Sequence, residues 1–270
     1  MWTEEHRARH ARRACRYPSD LTDAQWDSIK SLFSSYVTYT ADIREMVNGI
    51  LYLTKTGCPW DYLPTDFGPR GTVREWHDRF RRDEVWDKAM ELLHPVARRA
   101  LGRPSDPQTL IIDSQSISAG PQAGPRGTDG GKKRKGIKRH IAACSAGLLV
   151  GIMVTAANVH DSKALVPLVD DVKAKHPSIV RVVADSAYAG AELTKAMRER
   201  GIDLQITAKL EGAVGFVPVP VRWKIEAVNG ILTNGYRRLA KHWEGGFPAA
   251  ENSTKIASVR RMLNIIHRTA

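Results

Sequence analysis

Apolar positions along the chain change their period near residue 104. Upstream they recur every three or four residues, the spacing of one helix face. Trp26, Ile29, Leu32 and Phe33 form a first stripe. Its start is set by Thr22, a good N-cap, with Gln25 three residues later as a capping box, and by Leu21 and Trp26 as a hydrophobic staple. Ile43, Met46, Val47, Ile50, Leu51 and Leu53 predict a second helix over about 42–54, stopped by Gly57 and Cys58-Pro59-Trp60. A turn segment rich in Pro, Asp and Gly covers 61–69, and a third helix begins near Thr72. A fourth spans 87–101, with Ala89, Leu92, Leu93, Val96 and Ala97 inward, and Gly102 to Pro107 break it.

Downstream the apolar residues come in short runs bounded by turn residues, as in strands. Strands are expected at 109–113, 138–145, 148–156, 179–184 and 203–207, the second and third joined as a hairpin through Ala146-Gly147. Helices fall between them. One starts at His160-Asp161-Ser162 and carries Leu165, Leu168, Val169 and Val172; one covers 191–200 and stops at Gly201; a later one bears Glu226. The pattern predicts an α/β chain: a basic arm over 1–16, a helical, helix-turn-helix-like domain over 17–103, and a mixed-sheet domain with flanking helices over 104–270.

Three acids stand out against this frame. Leu110-Ile111-Ile112 runs straight into Asp113, and Val182-Val183-Ala184 into Asp185. A carboxylate at the end of a buried strand needs a partner or a metal, because burying it unpaired costs several kcal/mol. On neighbouring strands the two acids would meet and require a compensating cation. Oxygen-only ligands suit Mg²⁺ or Mn²⁺, and two such ions about 4 Å apart support in-line displacement at phosphorus. Strand-end acids equally cap turns. On the helix that bears Glu226, Ile225, Val228 and Leu232 make the core face, and Arg222, Glu226, Asn229, Thr233 and Arg237 fall on the other side. Glu226 there is a third metal ligand beside a phosphate backbone, or a surface acid paired with Arg222.

Charge narrows the partners. With 41 Lys and Arg against 29 Asp and Glu, the formal charge is +12, which points to a polyanion, nucleic acid above all. No apolar run approaches membrane-spanning length. The Arg- and His-rich start lacks the apolar stretch of a secretory signal, and Cys15, Cys58 and Cys144 make neither a disulfide framework nor a zinc pattern, which fits a cytoplasmic protein. The third helix carries Arg74, Arg79, Arg81 and Arg82, so it reads as a DNA-facing helix or as the solvated face of a small bundle. Lys132, Lys133, Arg134, Lys135, Lys138 and Arg139 form a run beside the strand of Asp113, and Arg237, Arg238 and Lys241 extend the positive face beyond Glu226. These groups are expected to neutralise phosphates.

Several motifs in order resemble the DDE transposases of the IS5 family, within the IS4/IS5 group of bacterial insertion sequences. They are Tyr17-Pro18-Ser19-Asp20-Leu21-Thr22, Asn48-Gly49-Ile50-Leu51-Tyr52, Thr56-Gly57-Cys58-Pro59-Trp60, Ile112-Asp113-Ser114, the 132–140 run, Ala184-Asp185-Ser186-Ala187-Tyr188, Arg222-Trp223-Lys224-Ile225-Glu226 and Tyr236-Arg237-Arg238-Leu239. The resemblance implies an RNase H-like mixed-sheet catalytic domain, with Asp113, Asp185 and Glu226 as catalytic metal ligands. It also implies recognition of terminal inverted repeats in double-stranded DNA, strand cleavage and transfer to target DNA, and action as a homodimer or larger assembly near the bacterial nucleoid. A metal-dependent nuclease and a DNA-binding regulator derived from a transposase are the alternative readings. One stretch departs: the family follows the glutamate with Arg-Thr-Phe, where this chain has Ala227-Val228-Asn229.

Overall fold

The computed structural model describes residues 16–38, 41–207 and 223–268. The basic arm up to residue 15 and Arg222 therefore lie outside the described residues.

The helical part opens with α1 (Asp23–Asp27), where the capping box forms in full: Thr22 Oγ1 accepts from the Gln25 N–H at 3.3 Å and Gln25 Oε1 from the Thr22 N–H at 3.2 Å. The first stripe is not one helix. α1 gives way to a 3₁₀ turn at Lys30–Phe33. Helix α2 (Ile43–Thr56) is capped by Asp42, whose Oδ1 accepts from the N–H groups of Arg44 and Glu45. It ends at Gly57, at φ 66°, where a Cβ would also lie 2.9 Å from the backbone of Arg237 and Arg238. Two 3₁₀ turns, Trp60–Tyr62 and Thr65–Phe67, lead to α3 (Arg70–Arg82), and α4 (Val85–Ala100) follows at once. In α4 the buried stripe is Val85, Trp86, Ala89, Met90, Leu93 and Ala97, and Leu92, expected inward, is 42% exposed. Phe33, Phe80 and Trp86 pack edge to face around this point, with Phe33 and Phe80 centroids 5.0 Å apart.

The sheet is mixed. Its strands are β1 (Thr109–Ser118), β2 (Gly127–Asp129), β3 (Arg134–Cys144), β4 (Leu149–Ala156), β5 (Arg181–Asp185) and β6 (Asp203–Thr207). β1 lies between β3, antiparallel to it, and β5, parallel; β6 runs parallel beside β5, and β2 and β4 pair antiparallel with β3. The β3–β4 hairpin turns where predicted. Helices α5 (Ser162–Lys175), α6 (Ala191–Glu199), α7 (Trp223–Gly235) and α8 (Phe247–Ile266) complete the described elements. β1 and β3 are longer than the sequence pattern predicts, and β2 and α8 are not predicted by it.

One hydrophobic core runs from Leu21 in the helical part through Ile111 and Ile141 in the sheet to Leu263 in α8. α8 ties these layers together. Lys255 pairs with Asp87 of α4 at 2.7 Å, Glu251 accepts the Val154 N–H of β4 at 2.7 Å, and Arg260 donates to Gln25 at 2.6 Å. Among the described residues no helix is long and apolar enough to cross a membrane.

Candidate active site

Asp113 does not end its strand. β1 continues to Ser118, because Ser114 and Ser116 are buried against β3 opposite His140 and Lys138. The neighbouring strand β5 does end at its acid, Asp185. The parallel register pairs Ile111 with Val183, and two residues further along it sets Asp113 level with Asp185. The sheet therefore brings these two carboxylates together, as the apolar runs before them predict.

Each acid is oriented locally. Asp185 Oδ1 accepts the Ala187 N–H at 2.9 Å and caps the 3₁₀ turn Ser186–Tyr188. Asp113 Oδ1 accepts the Ser114 N–H at 2.8 Å, and its Oδ2 accepts from Asn229 Nδ2 of α7 at 3.0 Å. The Tyr188 side chain, 1% exposed, sits among them: burial and then the charges of Asp161, Asp113 and Asp185 push its phenol well above the usual range.

Helix α7 lies along β1. Thr233 Oγ1 donates to Gln115 Oε1 at 3.1 Å, one helical turn beyond the Asn229 contact, and Lys224 Nζ donates to the Ser145 carbonyl at 2.7 Å. Four helical residues advance about 6 Å and two strand residues about 6.7 Å, so the two contacts keep step. Helical rotation alone puts Asn229 and Thr233 on the side away from the core. In the fold that stripe faces β1, and Asn229 is buried. Glu226 shares the stripe one turn before Asn229 and is exposed. Among the described residues no three His, Cys, Asp or Glu side chains stand close enough to surround one metal ion. The register thus sets Asp113 level with Asp185, and Glu226 lies on the helix that packs on β1, one turn before Asn229. Three carboxylates remain a donor set that fits a hard divalent cation.

Two residues of this region carry no motif signal of their own. Asn229 reaches Asp113 only through tertiary packing. Asp161 stands where a helix cap is predicted, yet its side chain caps nothing. It pairs instead with Lys138 Nζ at 2.8 Å, on the opposite face of β1 from Asn229. Burial opposes ionisation of Asp161, and the Lys138 ammonium and Ser114 hydroxyl still hold its carboxyl below the usual range.

The basic residues divide by burial. Lys138 and Arg139 are turned into the fold, 8% and 2% exposed. Arg139 donates to Gln115 and to the Leu239 carbonyl, and burial lowers its guanidinium to about 10. Arg238 is held by Glu244 at 2.8 Å, and Lys241 lies over the Trp243 ring at 4.9 Å. Their charge is committed within the chain. Lys132, Lys133, Arg134 and Lys135 face solvent, on a turn fixed by Asp129, which accepts from the N–H groups of Gly131 and Lys132 and from Ser116 Oγ. Arg74, Arg82 and Arg237 are exposed. Arg79 packs over Trp76 at 4.8 Å, and Arg81 reaches Asp78 at 3.7 Å.

Family models and a relative match the chain. Residues 104–257, which include all three acids, match the family described as "Transposase DDE domain". Residues 21–90 match "Putative transposase of IS4/5 family". A Burkholderia cepacia protein named "Putative transposase for insertion sequence element IS402" is 34% identical over 142 residues, which are 50% of this chain and 65% of that protein. The match thus spans just under two thirds of the relative's length.

Proposed function

Because the chain belongs to the transposase DDE domain family, whose fold is RNase H-like and whose members use divalent metal ions, we propose that it is the transposase of an insertion sequence. It binds the terminal inverted repeats of its element in double-stranded DNA, cleaves a strand with water, and joins the freed 3′-hydroxyl to target DNA. The observation that carries this reading is the β1–β5 register, which sets Asp113 level with Asp185, under the helix that bears Glu226.

Asp113, Asp185 and Glu226 would hold the metal, which we take to be two Mg²⁺ ions, and bound there it would supply charge neutralisation at the reacting phosphate and activation of the attacking oxygen. The protein's own part is orientation. Asn229 fixes α7 against Asp113, and the cap that Asp185 makes on Ser186–Tyr188 orients the second acid at the end of its strand. The exposed Lys132, Lys133, Arg134 and Lys135, with Arg74, Arg82 and Arg237, neutralise the DNA backbone around the site. Two copies acting together hold the two ends of one element.

The test is incubation of the chain with an end-bearing duplex, Mg²⁺ and a target plasmid. Joined products are expected, and Asp113→Asn should remove them while gel-shift binding persists. Full activity in Asp113→Asn would refute the assignment of the site. Cleavage without joining would make the protein a nuclease, and binding without either product a DNA-binding regulator.

A further inference from the structure

The start of α8 faces α3 across a cleft of about 360 Å³ that the metal chemistry does not use. Trp60 and the α3 stripe Arg74, His77, Asp78 and Arg81 form one wall, and Glu244, the glycines after it and the first turn of α8 form the other. α8 is 20 residues long, no side chain caps its N-terminus, and no acid stands in its first turn. Its uncapped N–H groups and the positive end of its dipole therefore meet the cleft. Gly246 is the N-cap, in extended backbone, and Gly245 before it has open space where a Cβ would stand, so a ligand can come close to the main chain.

The facing wall points to the same kind of ligand. His77 is 7% exposed and lines the cleft. Its Nδ1 stands 3.5 Å from Asp78, and the Trp60 ring packs edge-on to it with centroids 5.6 Å apart. Its Nε2 enters no hydrogen bond among the described residues, and it is not sealed from solvent as both ring nitrogens of His242 are. That nitrogen opens into the cleft. The Nε of Arg81 is buried without a hydrogen bond, and Arg74 stands exposed at the mouth. Two acids line the same space. Glu244 is neutralised by Arg238 and also accepts from the Ser253 hydroxyl. Asp78 faces Arg74, Arg81 and the helix end, which leaves the cleft positive.

We propose that this cleft seats one phosphate of the DNA backbone, held by the N–H groups at the start of α8, by Arg74 and by protonated His77, which donates from Nε2 while Nδ1 faces Asp78. The phosphate joins α3 of the helical part to α8, which packs along the sheet, so bound DNA braces the two parts against each other. The assignment rests on the reading of the chain as a DNA-binding transposase and adds the place of one contact.

Gly246→Asp in the full chain tests it. A carboxylate at the N-cap satisfies the helix N–H groups and repels phosphate, and extended backbone accepts any residue, so the melting point should hold or rise slightly. Binding of an unrelated duplex, followed by fluorescence anisotropy across a salt series, should weaken roughly tenfold, and the slope of log affinity against log salt should fall by about 0.9. His77→Leu should lose the same contact, and His77→Gln, whose amide keeps a donor at that depth, should retain most of the affinity. Wild-type affinity and slope in Gly246→Asp overturn the proposal. A melting point that rises in inorganic phosphate over chloride of equal ionic strength, in the wild type but not in Gly246→Asp, with duplex affinity equal in both, gives the cleft to free phosphate and overturns the DNA assignment. A wild-type chain that binds no duplex removes the transposase reading and this seat together, whereas binding that Gly246→Asp leaves intact removes the seat alone.

Discussion

The Lys138 ammonium stands 2.8 Å from the Asp161 carboxylate, with side-chain exposures of 10% and 20%, and also donates to the Val159 carbonyl. Its strand position faces Ser116 on β1, so the pair braces from below the strand that carries Asp113 above. Removing one member of such a pair leaves the other charge in a poor solvent, which costs about 3–5 kcal/mol for deeply buried pairs. Asp161 keeps some contact with water, so Lys138→Met should lose about 3 kcal/mol, the low end of that range. Asp161→Asn in the Lys138→Met background should recover at least about half of the loss, because the stranded charge is gone. Urea midpoints of the two single variants and the double variant measure the coupling. Simple additivity of the two losses would show that the two groups stabilise the strand independently.

At the scale of elements, α7 is the helix whose sequence departs from the family pattern, and Gly230 sits in its middle. A Cβ there meets nothing within 4 Å, so the glycine is not required by packing. Gly230→Ala should stabilise the chain by about 0.5–1 kcal/mol, by narrowing the unfolded ensemble. The melting point should rise by about 1–4 °C. A fall in melting point would mean that α7 needs the bend glycine permits. The stop of α2 at Gly57 and the apolar run of β5 are legible because local residues make them. β1 beyond Asp113 is not, because Ser114 and Ser116 are polar yet buried, with the Ser116 hydroxyl satisfied by Asp129 at 2.6 Å. α8 is hidden for a related reason. Asn252, Ser253, Thr254 and Ser258 are buried on it, and Ser253 and Thr254 return hydrogen bonds to their own helix, so the apolar stripe is diluted. Asp113 and Asp185 are legible as acids that end apolar runs. Asn229 and Asp161 gain meaning only when distant strands meet them.

For the whole molecule, a positive total says less about DNA than where each charge is spent. Lys138, Arg139 and Arg238 hold the fold together, whereas Lys132, Lys133 and Lys135 project from the turn and strand start beside β1. Arg134 also faces solvent but donates to the Ser116 carbonyl at 2.7 Å, so its removal would disturb the sheet. The three lysines are therefore the clean substitutions. Each phosphate contact releases counterions and contributes about 0.9 to the slope of log affinity against log salt. If all three touch phosphate, changing them to Gln should lower that slope by roughly 2.7. The loss should be the same on element ends and on unrelated duplexes, because backbone contacts carry no sequence information. Fluorescence anisotropy across a salt series on both DNAs measures slope and specificity together. An unchanged slope would place the lysines in solvent and move the DNA path toward Arg74 and Arg82 on α3. A loss confined to element ends would mean that this turn reads bases, a role that the short, flexible reach of three lysines on one turn argues against.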